Sequence, residues 1–201
     1  LTRLESKQQN PWKLLTHTQH LVSTQYHDHL QIYTDGSKDT ETTAAAFVIP
    51  SLKIQTMDRL PSYCSIYTAE LWAIYKSLEW VGQHPHLHQI LILTDSLSVL
   101  QTLRTNRKSP RPNLTETTLT LLRQASNQGQ NIEFIWVPSH INLAGNDAAD
   151  TAEKKKGTRN THIEHLPPSV TEIYGIITAH TDNQWTALWQ ESPNNLLLRQ
   201  A

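Results

Sequence analysis

The sequence predicts an α/β fold, a five-stranded mixed sheet flanked by helices. Three observations carry the prediction. Short β-type runs alternate with stretches of helical apolar spacing; the links between the first three β-type runs are too short for anything but antiparallel neighbours; and apolar strands end in carboxylates, as at the ligand-binding edge of α/β sheets. Gln31 to Asp35 alternates with period two, Ile32 and Thr34 on one face and Tyr33 and Asp35 on the other, before a turn expected at Gly36-Ser37. Ala44 to Ile49 is a short apolar run closed by Pro50, and Lys53 to Arg59 alternates again. From Ile66 the spacing turns helical, with Leu71, Ile74, Leu78 and Val81 on one stripe and Gly82 placed as the C-terminal cap. Ile90 to Leu93 is continuously apolar, as a strand covered on both faces would be, and Ser96 can cap a following helix that carries Leu97, Leu100 and Leu103. Pro110 and Pro112 mark Arg104 to Asn113 as a loop, and a helix with Leu114, Leu119, Leu121 and Leu122 follows. Asn131 to Val137 reads as the last strand. Asn146 can cap a last short helix that begins with acids and ends in Lys154, Lys155 and Lys156 before Gly157, the charge order a helix dipole favours.

Composition narrows the class. At 201 residues the chain suits one domain with decorated ends: a connector over 1–29, the domain over 30–157 and a helical tail over 158–201. With 17 Lys+Arg against 18 Asp+Glu the net charge is -1, so any case for nucleic-acid binding has to be local rather than rest on bulk basicity. Cys64 is the single cysteine, which excludes an intrachain disulfide and a cysteine zinc cluster and allows a reducing compartment. No apolar stretch approaches the roughly 20 residues that span a bilayer, so no membrane role is expected. The chain opens on Leu1 rather than Met, which points to a piece of a longer product or to an incomplete reading frame.

Four acids sit where a soluble fold seldom puts them. Asp35 and Asp95 follow apolar strands, Glu70 lies beside the buried stripe of its helix, and Asp150 lies one turn into a helix among Ala148, Ala149 and Ala152. Singly, an Asp after a strand reads as a turn or cap residue. Jointly, uncompensated carboxylates in such places are costly to desolvate unless a cation is held, and oxygen ligands without Cys or paired His favour Mg²⁺ or Mn²⁺.

Thr34-Asp35-Gly36-Ser37, Ala69-Glu70-Leu71, Thr94-Asp95-Ser96 and Pro138-Ser139-His140 through Gly145-Asn146-Asp147-Ala148-Ala149-Asp150 resemble, in order and spacing, the motifs of type 1 ribonuclease H. The resemblance covers roughly Leu30 to Gly157, and Tyr67 to Ile74 is most similar to the ribonuclease H domains of non-LTR retrotransposon reverse transcriptases. Pro11-Trp12 before the domain, and Trp185 and Trp189 after it, fit the same likeness. The resemblance implies the ribonuclease H-like fold and hydrolysis of the RNA strand of an RNA/DNA hybrid by two Mg²⁺ ions, with Mn²⁺ able to substitute. Asp35, Glu70, Asp95 and Asp150 would hold the metal, and His140 would assist proton transfer or release. It further implies an upstream reverse transcriptase in the same polyprotein, an intracellular setting, nucleus or cytoplasm left open, and a monomer. A silent hybrid-binding module of the same fold is the alternative; an integrase-type enzyme fits poorly, since the fourth carboxylate is an Asp.

For the substrate, Gly36, Ser37 and Lys38 stand where the family reads RNA 2′-hydroxyls, although Lys38 also reads as a solvated charge. Ser65 and Asn113 read either as helix caps or as contacts to a DNA phosphate. Arg104, Arg107, Lys108 and Arg111 form an acid-free basic run that reads either as a solvated loop or as a set of phosphate contacts. His84, His86 and His88 alternate, but Pro85 interrupts them and no acid or Cys is near, so they are not read as a metal site.

Overall fold

The computed structural model describes residues 11–105, 108–138 and 163–191. The chain divides into two compact units, residues 1–166 and 167–201. In the first, α1 (Pro11–Gln25) precedes β1 (Leu30–Lys38), β2 (Thr43–Ile49) and β3 (Ile54–Leu60); α2 (Ile66–Gly82), β4 (Gln89–Thr94), α3 (Leu97–Thr105), α4 (Pro112–Asn127) and β5 (Asn131–Trp136) follow. The sheet order is β3-β2-β1-β4-β5. β1 and β2 pair antiparallel, as do β2 and β3, while β4 runs parallel to both β1 and β5. The short links expected to make antiparallel neighbours do so, and the helices supply the crossovers that parallel pairs need.

The period-two reading of β1 describes both faces of the sheet. Ile32 joins Phe47, Leu71, Ile74, Leu78, Val81, Ile90 and Ile92 in one core, and Tyr33 joins Val48, Leu91, Leu93 and Ile135 in a second on the opposite face. Leu21 of α1 lies in that second core with Val22 and Tyr26 packed against it, so the segment expected to be a connector contains a helix that covers the sheet. Tyr26 donates its hydroxyl to Glu133 of β5 at 3.1 Å, and burial, then that bond and the Glu133 charge, push the phenol upward. Gln130 closes the far end of the sheet by donating to the carbonyls of His84 and Leu87. The edge of β3 is covered by a bridge from Arg59 to Ile163.

Several boundaries differ from the sequence reading. β1 does not end at Asp35: Gly36 and Ser37 are strand residues paired with Ala45 and Ala44. The turn comes later, where Asp39 accepts the backbone N–H groups of Glu41 and Thr42 at 2.7 and 2.6 Å, bonds that hold its carboxyl below the usual range. Gly82 does not cap α2 in a left-handed conformation; it is the last helical residue, and Gln83 ends the helix in the right-handed region. The buried stripe of α3 is Val99, Leu100 and Thr102, while Leu97 is exposed, because only one face of this short helix meets the core. The helix expected from Asn146 lies outside the described residues.

In the second unit, α5 (Val170–Glu191) starts with a reciprocal cap in which Ser169 Oγ accepts from the Glu172 N–H and Glu172 Oε2 accepts from the Ser169 N–H. Trp185 and Trp189 stack on each other along it, ring centroids 6.4 Å apart. Among the described residues no helix is long and apolar enough to cross a membrane.

Candidate active site

Asp35, Glu70 and Asp95 converge. One carboxylate oxygen from each lies within 4.8 Å of the others, and among the described residues this is the one group of three or more acidic, His or Cys side chains so placed. Each arrives by a different route. Asp35 sits inside central strand β1, one residue beyond Thr34, which pairs with Thr94 of β4, so Asp95 leaves the neighbouring strand at the same height. Glu70 comes from the first turns of α2, where it is 7% exposed.

Gly36 makes that approach possible. A Cβ built on it would lie 2.5 Å from the Glu70 amide nitrogen and 2.7 Å from the Ala69 carbonyl carbon, distances no side chain tolerates. The start of α2 is fixed independently. Ser65 is its N-cap and accepts the Thr68 N–H at 3.2 Å, and Lys38 Nζ donates to the carbonyls of Ser62 and Cys64 at 2.8 and 2.6 Å just before it. Both residues thus have a local structural part in addition to any contact with substrate.

The turn after β4 is held from two sides. The Asp95 carbonyl accepts the Leu97 N–H at 3.1 Å and the Trp136 indole N–H at 2.9 Å, and the Ser96 N–H donates to Thr94 Oγ1 at 3.2 Å. Beside Glu70 and Asp95 opens a cleft of about 450 Å³ whose walls include Tyr67, Leu97, Gln101 and Trp136. Sequence reasoning missed these wall residues, although Tyr67 and Trp136 stood within three residues of Glu70 and Pro138 and have the amphipathic rings that line clefts.

The other expected residues divide. His140, Asp150 and Arg107 lie outside the described residues. Arg104 and Lys108 are exposed, Arg104 in the last turn of α3 where a cation suits the helix dipole. Arg111 departs from the reading of one solvated basic run: it is 6% exposed, and its guanidinium donates to Thr68 Oγ1 at 3.1 Å and Cys64 Sγ at 3.5 Å. Its backbone caps α4, which leaves Asn113 as an exposed first-turn residue and not the cap. His84 stacks on Trp80, ring centroids 4.0 Å apart, which gives the histidine run a packing role.

The donor set fits a divalent cation. Three hard carboxylates, without Cys or His, crowd together at the edge of a cleft, and like charges at this spacing favour ionisation only when a cation compensates them. A mixed sheet whose two central strands and covering helix deliver such a trio defines an α/β enzyme with an acidic, cation-suited centre. The sequence matches the family described as RNase H over residues 27–157, and the chain belongs to that family; its activity is that of a ribonuclease H. The chain is similar in structure to RNase H1 from the halophilic archaeon Halobacterium salinarum NRC-1, at 20% identity over 63% of this chain and 96% of that one, with a TM-score of 0.49. It is also similar to LC11-RNase H1, isolated from compost by a metagenomic approach, at 18% identity over 63% and 96%, TM-score 0.49. The same LC11 enzyme in complex with an RNA/DNA hybrid gives 16% identity over 62% and 96%, TM-score 0.46. A search of curated protein sequences finds no match.

Proposed function

We propose that this chain hydrolyses the RNA strand of RNA/DNA hybrids at Asp35, Glu70 and Asp95 by a two-metal-ion mechanism, with Mg²⁺ as the working ion and Mn²⁺ as a substitute. The convergence of those three carboxylates beside an open cleft carries the reading. Asp150 completes the ligand set in this proposal. Asp35, Glu70, Asp95 and Asp150 would hold the divalent ions, which would supply activation of water and stabilisation of charge on the leaving 3′-oxygen. The chain's own part is to hold the carboxylates in place: Asp35 in β1 opposite Ala46, Glu70 on a helix seated against Gly36, Asp95 in a turn bonded twice through its carbonyl. His140 serves as the proton carrier in this proposal, imidazole being the side chain suited to proton transfer near neutral pH. Ser37, Asn113, Arg104, Arg107 and Lys108 are the proposed substrate contacts, together with the Ser65 hydroxyl; Gly36, Lys38 and Arg111 act mainly by shaping the ground beneath them.

The proposal extends to context. The wording of Tyr67 to Ile74 and the flanking tryptophans support a ribonuclease H part of a retrotransposon polyprotein, downstream of a reverse transcriptase, working inside the cell as a monomer. Near-zero net charge suits a domain tethered to a polymerase that already holds the hybrid, since tethering supplies effective concentration without basic residues.

Incubation with labelled RNA/DNA hybrid, single-stranded RNA and duplex DNA tests this. The hybrid alone is cut, the products carry 5′-phosphates, EDTA abolishes cleavage, and Mg²⁺ or Mn²⁺ but not Ca²⁺ restores it. Hybrid binding without cleavage at any metal concentration would establish the silent module instead, and undiminished cleavage in EDTA would exclude the metal mechanism.

A further inference from the structure

The metal-facing carboxylates differ in how firmly their backbones are held. Asp35 lies within β1, opposite Ala46 of β2 and one residue beyond the last pair with β4, and Glu70 lies within a helix. Asp95 has neither support: it is the first residue after β4, and its carbonyl closes a tight bond to the Leu97 N–H two residues on. A bond of that span closes a single three-residue turn rather than a ladder or a helix. The second donor to the same carbonyl is tertiary. Trp136, the last residue of β5 and the partner of Thr94 across the parallel ladder, reaches over the strand end with its indole N–H, 2.9 Å from the Asp95 oxygen. The adjoining backbone bond from the Val137 N–H to the Thr94 carbonyl, 2.9 Å, holds the root of that side chain.

We infer that Trp136 is a positioning residue for the cation site, fixing the peptide plane of Asp95 and thereby the direction of its carboxylate. The inference rests on the ribonuclease reading of the acidic trio. It assigns a metal-tuning task to a side chain that bears no ligand atom. Outer hydrogen bonds that orient ligands typically govern metal affinity by about 10- to 100-fold. Trp136 also walls the cleft beside Glu70 and Asp95, so its role in orienting Asp95 has to be separated from direct contact with substrate.

Titration of the metal-free full chain with Mn²⁺ by calorimetry makes that separation, with Asp95→Asn as the reference for a damaged ligand set. Trp136→Phe keeps an aromatic ring and removes the donor. The expected result is an Mn²⁺ dissociation constant raised about 10-fold. Cleavage falls at limiting Mn²⁺ and returns with excess Mn²⁺, and KM for the hybrid at saturating metal stays within about twofold. Replacing Trp136 by benzothienylalanine, which keeps the bicyclic shape with sulfur in place of the N–H, reproduces the loss and serves alone if Trp136→Phe does not fold. Unchanged Mn²⁺ affinity in the folded variant overturns the inference, whether the variant shows only a lowered melting temperature or a raised KM. Failure of the wild-type chain to bind Mn²⁺ or cut hybrid overturns the ribonuclease reading itself.

Discussion

At Gly36 the strand and the helix that together deliver two carboxylates come closer than any side chain allows. The obstacle is backbone, the Glu70 amide and the Ala69 carbonyl carbon, so a methyl group there cannot be accommodated by rotamer change. Gly36→Ala is expected to cost about 2 kcal/mol, in the usual range for overpacking, and to displace Glu70; a lowered melting temperature together with a loss of cleavage beyond what the unfolded fraction explains checks it. Asp95→Asn separates the same two quantities in the opposite way. The amide preserves shape while removing one charge from a crowded trio, so metal binding and cleavage fall by orders of magnitude, whereas the melting temperature in EDTA stays level or rises because repulsion is relieved. A cap residue would instead lose about 1 kcal/mol of stability and little activity. The three acids were legible in the sequence because carboxylates beside apolar runs are chemically out of place. The role of Gly36 was not, since a glycine after a strand residue reads equally as a turn, and only the seating of α2 shows why a side chain is excluded.

Elements show a different boundary of legibility. The stripe Leu71, Ile74, Leu78 and Val81 is buried as its spacing demands, because a long helix against a sheet must bury one face. The basic run from Arg104 to Arg111 did not behave as a unit. Charge alone could not separate Arg104 and Lys108, which face solvent, from Arg111, whose backbone caps α4 and whose guanidinium is turned inward to Thr68 and Cys64. Neutralising Arg104 and Lys108 together to Gln is therefore expected to leave the melting temperature unchanged and to lower the salt slope of hybrid binding by about 1 to 2, as loss of one or two phosphate contacts does. Arg111→Met should do the reverse: it leaves Thr68 and Cys64 without their buried donor, costs about 1–3 kcal/mol, and leaves the salt slope alone. Binding isotherms at three salt concentrations, paired with thermal melts, discriminate the two. α1 was missed although Leu14, Leu15, Leu21 and Val22 recur at helical spacing in the sequence; Leu21 and Val22 cover the sheet beside Tyr33 and Leu91.

Across the molecule the titrating groups share one sign at high pH. Burial, then the hydrogen bond to Glu79, pushes Tyr75 up to about 12 from 10.0, and burial raises Tyr33 as well. Lys76 moves the same way: burial opposes the shift, but the bond and charge of Glu79 outweigh it. A group that holds its proton more tightly when folded contributes stability that is complete below its unfolded pKa and lost as pH climbs to the folded one. The fold should therefore weaken between about pH 10 and 12, and the melting-temperature advantage of wild type over Tyr75→Phe should shrink through that window; a constant difference would dissociate Tyr75 from the effect. The sheet order shows where sequence reading stops, since short links announced the β1-β2-β3 meander but nothing local announced that β4 would insert beside β1. That insertion is seen in the Thr34 hydroxyl, which reaches the Leu93 carbonyl 59 residues further along the chain. Closing so long a loop costs chain entropy that the short links of the meander do not. A partly folded form that retained the meander would keep Asp35 and lose its two acidic neighbours as a set, so the amides of β4 should exchange with solvent before those of the meander, and cation binding, which needs all three acids, should slow the exchange of β4.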